Sequence, residues 1–195
     1  MQKSVLSKIV LPKPVLFVLT LLPTLPFIVL ITQGVMNQLG ADPGKTLVHA
    51  LGLWALRFLL LTLSITPLQR FTPLQVLRLR RTLGLYALGY AVLHLLGFAF
   101  FYLGFDIALL GSELIKRPYI VVGSTALLML SMLGITSTRG WQKQLGRRWK
   151  TLHQLVYLIV VLVIIHYAWQ VKTGFGAAPW YALVFAVLMA LRWRR

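Results

Sequence analysis

Four histidines stand out in this chain of 195 residues: His49, His94, His153 and His166. His94 lies between Leu93 and Leu95, and His166 between Ile165 and Tyr167, each inside a long apolar run. An imidazole in hydrocarbon costs free energy, so an intramembrane histidine points to function before it points to packing. Neutral imidazole is the commonest metal ligand and an axial ligand of haem iron. A helix bundle can hold such a group between two helices, with one histidine from each. The chain has no cysteine, which excludes disulfides, thiolate metal sites, iron–sulfur ligation and covalent CxxCH haem attachment. Proton pathways also use histidine, but usually beside Asp or Glu in the membrane. Here Asp42, Asp106 and Glu113, the only acids, all fall between the apolar runs.

The elements that carry these histidines are hydrophobic throughout. The chain is 58% hydrophobic and 12% charged, with a mean hydropathy of +0.81. A soluble domain carries about a quarter charged residues, so this is a membrane protein. Six apolar runs are expected to cross as helices: about 15–31 (broken by Pro23 and Pro26), 47–65, 83–103, 119–135, 152–169 and 177–191. The first lacks a small-residue cleavage site and is read as a retained span. The sixth, of about 15 residues and near 22 Å of helix, is the shortest. Trp180, Tyr181 and Trp193 are expected to mark its two interfaces, with Arg192, Arg194 and Arg195 snorkelling. The expected fold is therefore an all-α bundle of six transmembrane helices, with residues 1–195 forming one domain. The loops are too short for a nucleotide-binding fold.

The net charge of +17 comes in short basic clusters between the apolar runs, a pattern of membrane topology rather than of nucleic-acid binding. One side would hold fifteen of the twenty Lys and Arg: Lys3, Lys8, Lys13, Arg70, Arg78, Arg80, Arg81, Arg139, Lys143, Arg147, Arg148, Lys150, Arg192, Arg194 and Arg195. The other side would hold Lys45, Lys116, Arg117 and Lys172, together with all three acids. The positive-inside rule then places both termini in the cytoplasm, consistent with an even number of spans.

Depth decides which histidines can pair. The third and fifth runs both start at the basic side, with His94 13 residues beyond Arg81 and His166 16 beyond Lys150. The three-residue mismatch is about 4.5 Å of helix rise, which tilt absorbs. His94 and His166 are thus expected to face each other across one haem. His153 lies about 20 Å lower and is expected to serve a second, inner haem. Against that, a spacing of 13 residues turns the side chain by about 220° on a straight helix. The third run also carries Arg80 and Arg81 where an inner partner would sit. His49 and His153 have a plainer reading as interfacial polar residues. Arg57, inside the second run, is either bonded to helix-end carbonyls or a counter-charge for a haem propionate.

Several stretches together carry a family resemblance: LGADPGK at 39–45, SITPL at 64–68, RRTLGLYAL at 80–88 with His94, LGSELIKRPY at 110–119, LGRRWKTLHQLVYL at 145–158 and IHYAW at 165–169. The chain resembles ferric-reductase-type transmembrane haem domains and, more closely, the MsrQ (YedZ) family. The resemblance implies a b-type cytochrome with one or two haems, and FMN. It implies haem ligation by His94, His153 and His166, and matches His49 to a further family histidine. Arg57 falls where a relative carries another base. The implied role is electron transfer across the bacterial inner membrane, from the quinone pool or a cytoplasmic flavin reductase. The implied acceptor is a periplasmic molybdopterin-containing catalytic subunit that reduces methionine sulfoxide in oxidised proteins. The chain would then be an electron-transfer subunit with no catalytic residue of its own. FMN contacts are not placed by any motif, although the basic segments 69–81 and 139–150 could attract a phosphate.

Two other classes stay open at this point. A small transporter or channel would line a path with polar residues and bind no haem. A cofactor-free anchor subunit would tolerate loss of its histidines.

Overall fold

A computed structural model describes residues 9–171 and 174–193. Lys3, Lys8, Lys172, Arg194 and Arg195 lie outside the described residues. The helices are α1 (Lys13–Leu21), α2 (Leu25–Val35), α3 (Pro43–Phe71), α4 (Leu77–Leu103), α5 (Ile107–Lys116), α6 (Pro118–Ile135), α7 (Arg139–Leu145), α8 (Arg147–His153), α9 (Leu155–Gln170) and α10 (Ala178–Trp193), with a 3₁₀ turn at Leu22–Thr24. Among the described residues five helical segments are long and apolar enough to cross a membrane: 13–35, 43–71, 77–103, 118–135 and 147–170. The sixth, Ala178–Trp193, is a shorter apolar helix. The outward faces are apolar, as at Phe17, Leu128 and Val184.

α3 is the central element and buries Leu56, Leu59 and Leu63 almost completely. Its start is set by Asp42, whose carboxylate accepts from Lys45 N, satisfying an orphan N-terminal donor. It packs most extensively on α4. Small residues let the two backbones approach: Gly44 abuts Phe101, and Gly97 abuts Val48. α6 and α9 form the second closely packed pair.

Prolines open the helical hydrogen-bond ladder at two places, and a side chain from elsewhere closes each. In a regular helix Phe27 N would donate to Pro23 O. Near Pro23 and Pro26 that bond is replaced: Phe27 N donates to Tyr90 Oη at 2.9 Å, and Tyr90 Oη donates to Pro23 O at 2.9 Å. An inserted hydroxyl of this kind is a recognised cause of a helix kink. Tyr90 is buried in α4 and packs on Phe58 of α3, so the broken first span is stapled to the helix that carries His94. Tyr90→Phe is expected to leave both backbone groups unpaired and to lower stability by about 1–3 kcal/mol. Chemical unfolding in detergent measures this. A Tyr90→Phe protein as stable as the parent would show that the helix closes its own bond.

Pro67 has no N–H, so Leu63 O loses its partner within α3. Arg192 of α10 supplies it: Nη2 donates to Leu63 O at 2.6 Å and to Thr66 Oγ1 at 3.1 Å, and Nη1 to Tyr157 Oη at 2.6 Å. The expectation that Arg192 snorkels outward is therefore corrected. The orphaned carbonyl draws it inward, tying α10 to α3 and α9. Tyr181 likewise turns inward, to Arg57 and Tyr167, whereas Trp180 and Trp193 are exposed at opposite ends of α10.

The segments expected to be loops are partly helical. α5 is a separate amphipathic helix capped by Asp106, which accepts from Ala108 N. α7 starts at Thr138, whose hydroxyl accepts from Trp141 N. The fifth run is interrupted at Gln154 between α8 and α9.

Candidate functional site

The acid-bearing end of the bundle brings two of the four histidines together. His94 comes from the middle of α4 and His166 from the last turn but one of α9. Their ring centroids lie 6.2 Å apart, with ring planes at 85°. His94 Nδ1 donates to Val48 O of α3 at 2.8 Å, and His166 Nδ1 donates to Tyr119 O of α6 at 2.6 Å. A carbonyl can only accept, so each ring carries its proton on Nδ1 when neutral. Nε2 is then left with its lone pair, the tautomer that ligates a metal.

The spacing itself is informative. A metal–imidazole bond is about 2.0 Å, and the ring centroid lies about 1 Å behind the ligating nitrogen. Two imidazoles held by one ion have centroids no more than about 6 Å apart. The observed pair meets this requirement. Each ring also lies in a cradle made by a glycine of the neighbouring helix. A Cβ at Gly123 would stand 2.7 Å from His166 Nδ1 and Cε1, and one at Gly52 would stand 3.0 Å from His94 Nδ1. Four helices thus fix two rings: α4 and α9 supply them, and α3 and α6 supply the carbonyl and the glycine that hold each. Among the described residues no three His, Cys, Asp or Glu side chains converge to hold a bare metal ion. The residues present fit a haem with two axial histidines.

His49 stands in the same region but serves differently. Its Nε2 pairs with the side-chain amide of Gln170, one turn beyond His166 on α9. Arg57 diverges from His49: its Nε donates to Tyr181 Oη at 3.1 Å, and its guanidinium lies 4.6 Å from the Trp54 ring centroid. Among the described residues it bonds no helix-end carbonyl, and instead joins α3 to α10.

His153 is remote from this cluster. Its ring stacks on Trp149 at 4.0 Å, and its Nδ1 donates to Trp149 O at 3.1 Å. Trp149 is itself pinned, with Nε1 donating to Thr136 O at the end of α6 at 2.8 Å. No second histidine lies at this level. Arg80 is the nearby charged group that acts on it.

The acids have structural work: Asp42 and Asp106 cap helices, and Glu113 pairs with Arg117 at 2.7 Å. Composition and depth picked out His94 and His166 but not their supports. Gly52, Gly123 and the carbonyls of Val48 and Tyr119 carry no chemistry of their own. The only signal available was a glycine within each neighbouring apolar run.

Comparison with known proteins shows the family of the chain. Residues 51–164 match the family described as Ferric reductase like transmembrane component. The chain is 46% identical over 169 residues to the protein-methionine-sulfoxide reductase heme-binding subunit MsrQ of Xanthomonas euvesicatoria pv. vesicatoria, covering 84% of this chain and 76% of the relative. It is 47% identical over 161 residues to the MsrQ of Xanthomonas campestris pv. campestris, covering 82% and 74%. With the MsrQ of Klebsiella pneumoniae it shares 43% identity over 173 residues, covering 88% and 87%. No solved structure matches the chain significantly.

Proposed function

The chain belongs to the MsrQ family of ferric-reductase-like transmembrane proteins, and from that premise we propose that it is the haem-binding, electron-transfer subunit of a protein-methionine-sulfoxide reductase. His94 and His166 would hold one b-type haem between them, and His153 would hold a second near the basic end. The observation that carries this reading is the 6.2 Å separation of two rings whose Nδ1 atoms are both held by carbonyls. A haem bound there supplies a one-electron iron couple.

The protein's own residues do the rest. Val48 O and Tyr119 O keep the Nδ1 protons and set the ring orientations, which raises ligand basicity. Apolar walls around His94 and His166 limit water and so influence the potential. Arg57 would suit a carboxylate at the haem edge, since it lies on α3 with its guanidinium turned toward α10, whereas His49 is held by Gln170 of α9. No residue of the chain is catalytic in itself.

The electrons come from the quinone pool or a cytoplasmic flavin reductase, at the basic end. They leave at the acid-bearing end, for a periplasmic molybdopterin-containing catalytic subunit in the bacterial inner membrane system. The Lys/Arg asymmetry supports that orientation. FMN is proposed from the family resemblance alone.

A visible spectrum of the detergent-purified protein, with and without dithionite, tests the reading. A Soret band that shifts on reduction is expected, and its absence favours the transporter or cofactor-free anchor. In the same assay His153→Ala should lower the haem-to-protein ratio while leaving the spectrum of the outer haem intact. An unchanged ratio would return His153 to the role of an interfacial residue.

A further inference from the structure

At the basic end, α3, α9 and α10 form a half-open cavity of about 240 Å³ lined by Thr66, Pro67, Arg70, Tyr157, Leu191 and Arg192. We propose that it is a binding site for a phosphate anion, seated where the bundle meets the membrane surface.

Charge is the first argument. Two guanidinium groups line one small cavity, and Arg80 lies within electrostatic range of Arg192. No Asp or Glu side chain can neutralise them, because Asp42, Asp106 and Glu113 are all at the other end and engaged there. Like charges held together in a partly apolar setting repel, and an anion between them removes the repulsion. Guanidinium groups suit phosphate by their planar donor geometry.

Unused donors are the second argument. Arg192 spends its Nη atoms on Leu63 O, Thr66 and Tyr157, and its Nε is buried with no partner among the described residues. Arg70 makes one long bond, from Nη1 to Leu191 O at 3.4 Å, and otherwise keeps its donors. Thr66 and Tyr157 add hydroxyls to the wall. The bonds that repair the gap at Pro67 therefore also pre-position Arg192, so little side-chain entropy remains to be lost on binding. Basic pockets between transmembrane helices on the cytoplasmic side of a membrane take phospholipid headgroups. The same chemistry would accept a soluble phosphomonoester.

The test uses the full chain in neutral detergent, with native mass spectrometry and thermal unfolding as readouts and two probes. Phosphatidylglycerol reports a lipid source, and glycerol 3-phosphate a soluble one. Arg70→Gln and Arg192→Gln remove cavity donors. Lys143→Gln removes an exposed charge from α7 at the same end, outside the cavity. Retention of a probe by the parent, weakened roughly tenfold in Arg70→Gln and Arg192→Gln but not in Lys143→Gln, is the expected result. Dependence confined to phosphatidylglycerol identifies a headgroup, and competition by glycerol 3-phosphate identifies a soluble phosphate. If all three variants respond alike to both probes, the arginines are only a solvated positive face and the proposal is overturned. Arg70 is exposed, so Arg70→Gln remains informative even if Arg192→Gln misfolds. None of these readouts needs haem, so the result stands apart from the reading of the histidines.

Discussion

Purified His166→Ala protein is expected to lose most of the haem bound at the acid-bearing end, and His94→Ala is expected to do the same. The two rings sit 6.2 Å apart on helices α4 and α9, each with Nδ1 tied to a carbonyl and Nε2 left to ligate. Removing either takes away one of the two imidazoles that would hold the haem and leaves an apolar gap where it stood. Pyridine haemochrome content per protein is the measurement, together with the reduced-minus-oxidised spectrum. His49→Ala supplies the contrast, because its Nε2 is already paired with Gln170. It is expected to keep the axial spectrum. Full haem retention in both His94→Ala and His166→Ala would remove the axial pair from this site.

A second large effect is expected from a residue with no functional group at all. Gly123→Ala places a Cβ 2.7 Å from Nδ1 and Cε1 of His166, closer than real contacts allow. The ring must move, and its bond to Tyr119 O is lost or lengthened. Loss of a support to a ligating histidine typically costs about 10–100-fold in metal affinity, so haem titration should show a weakening of that order. Gly52→Ala meets His94 Nδ1 at 3.0 Å and should be milder. Gly89→Ala has nothing within 4 Å of the new Cβ, and by helix propensity it should be neutral or slightly stabilising. Equal haem affinity in all three variants would show that the glycines are not cradles.

The six apolar segments, their order and the two ends of the bundle were legible in the sequence. So was the shared depth of His94 and His166. These properties follow from one-dimensional quantities: run length against bilayer thickness, charge counts between runs, and rise per residue. Pro23 and Pro26 announced a break in the first span, because a missing N–H is local information. How the prolines are accommodated was not legible. Tyr90 reaches Pro23 O across 67 residues, and Arg192 reaches Leu63 O across 129. Arg192 read as a snorkelling base because its sequence neighbourhood is a helix end; it turns inward because a distant proline orphans a carbonyl.

The same division runs through the site. Residue type singled out the two histidines, since an imidazole in hydrocarbon is conspicuous wherever it occurs. Their supports are a backbone carbonyl and a hydrogen atom in place of a Cβ, and every chain has many of both. Val48 O, Tyr119 O, Gly52 and Gly123 acquire meaning only from the helix that packs against them. Chemistry and depth therefore belonged to the sequence alone. Tautomer, ring orientation and the fit between the rings were decided by the tertiary structure, because each depends on contacts between α3 and α4 or between α6 and α9.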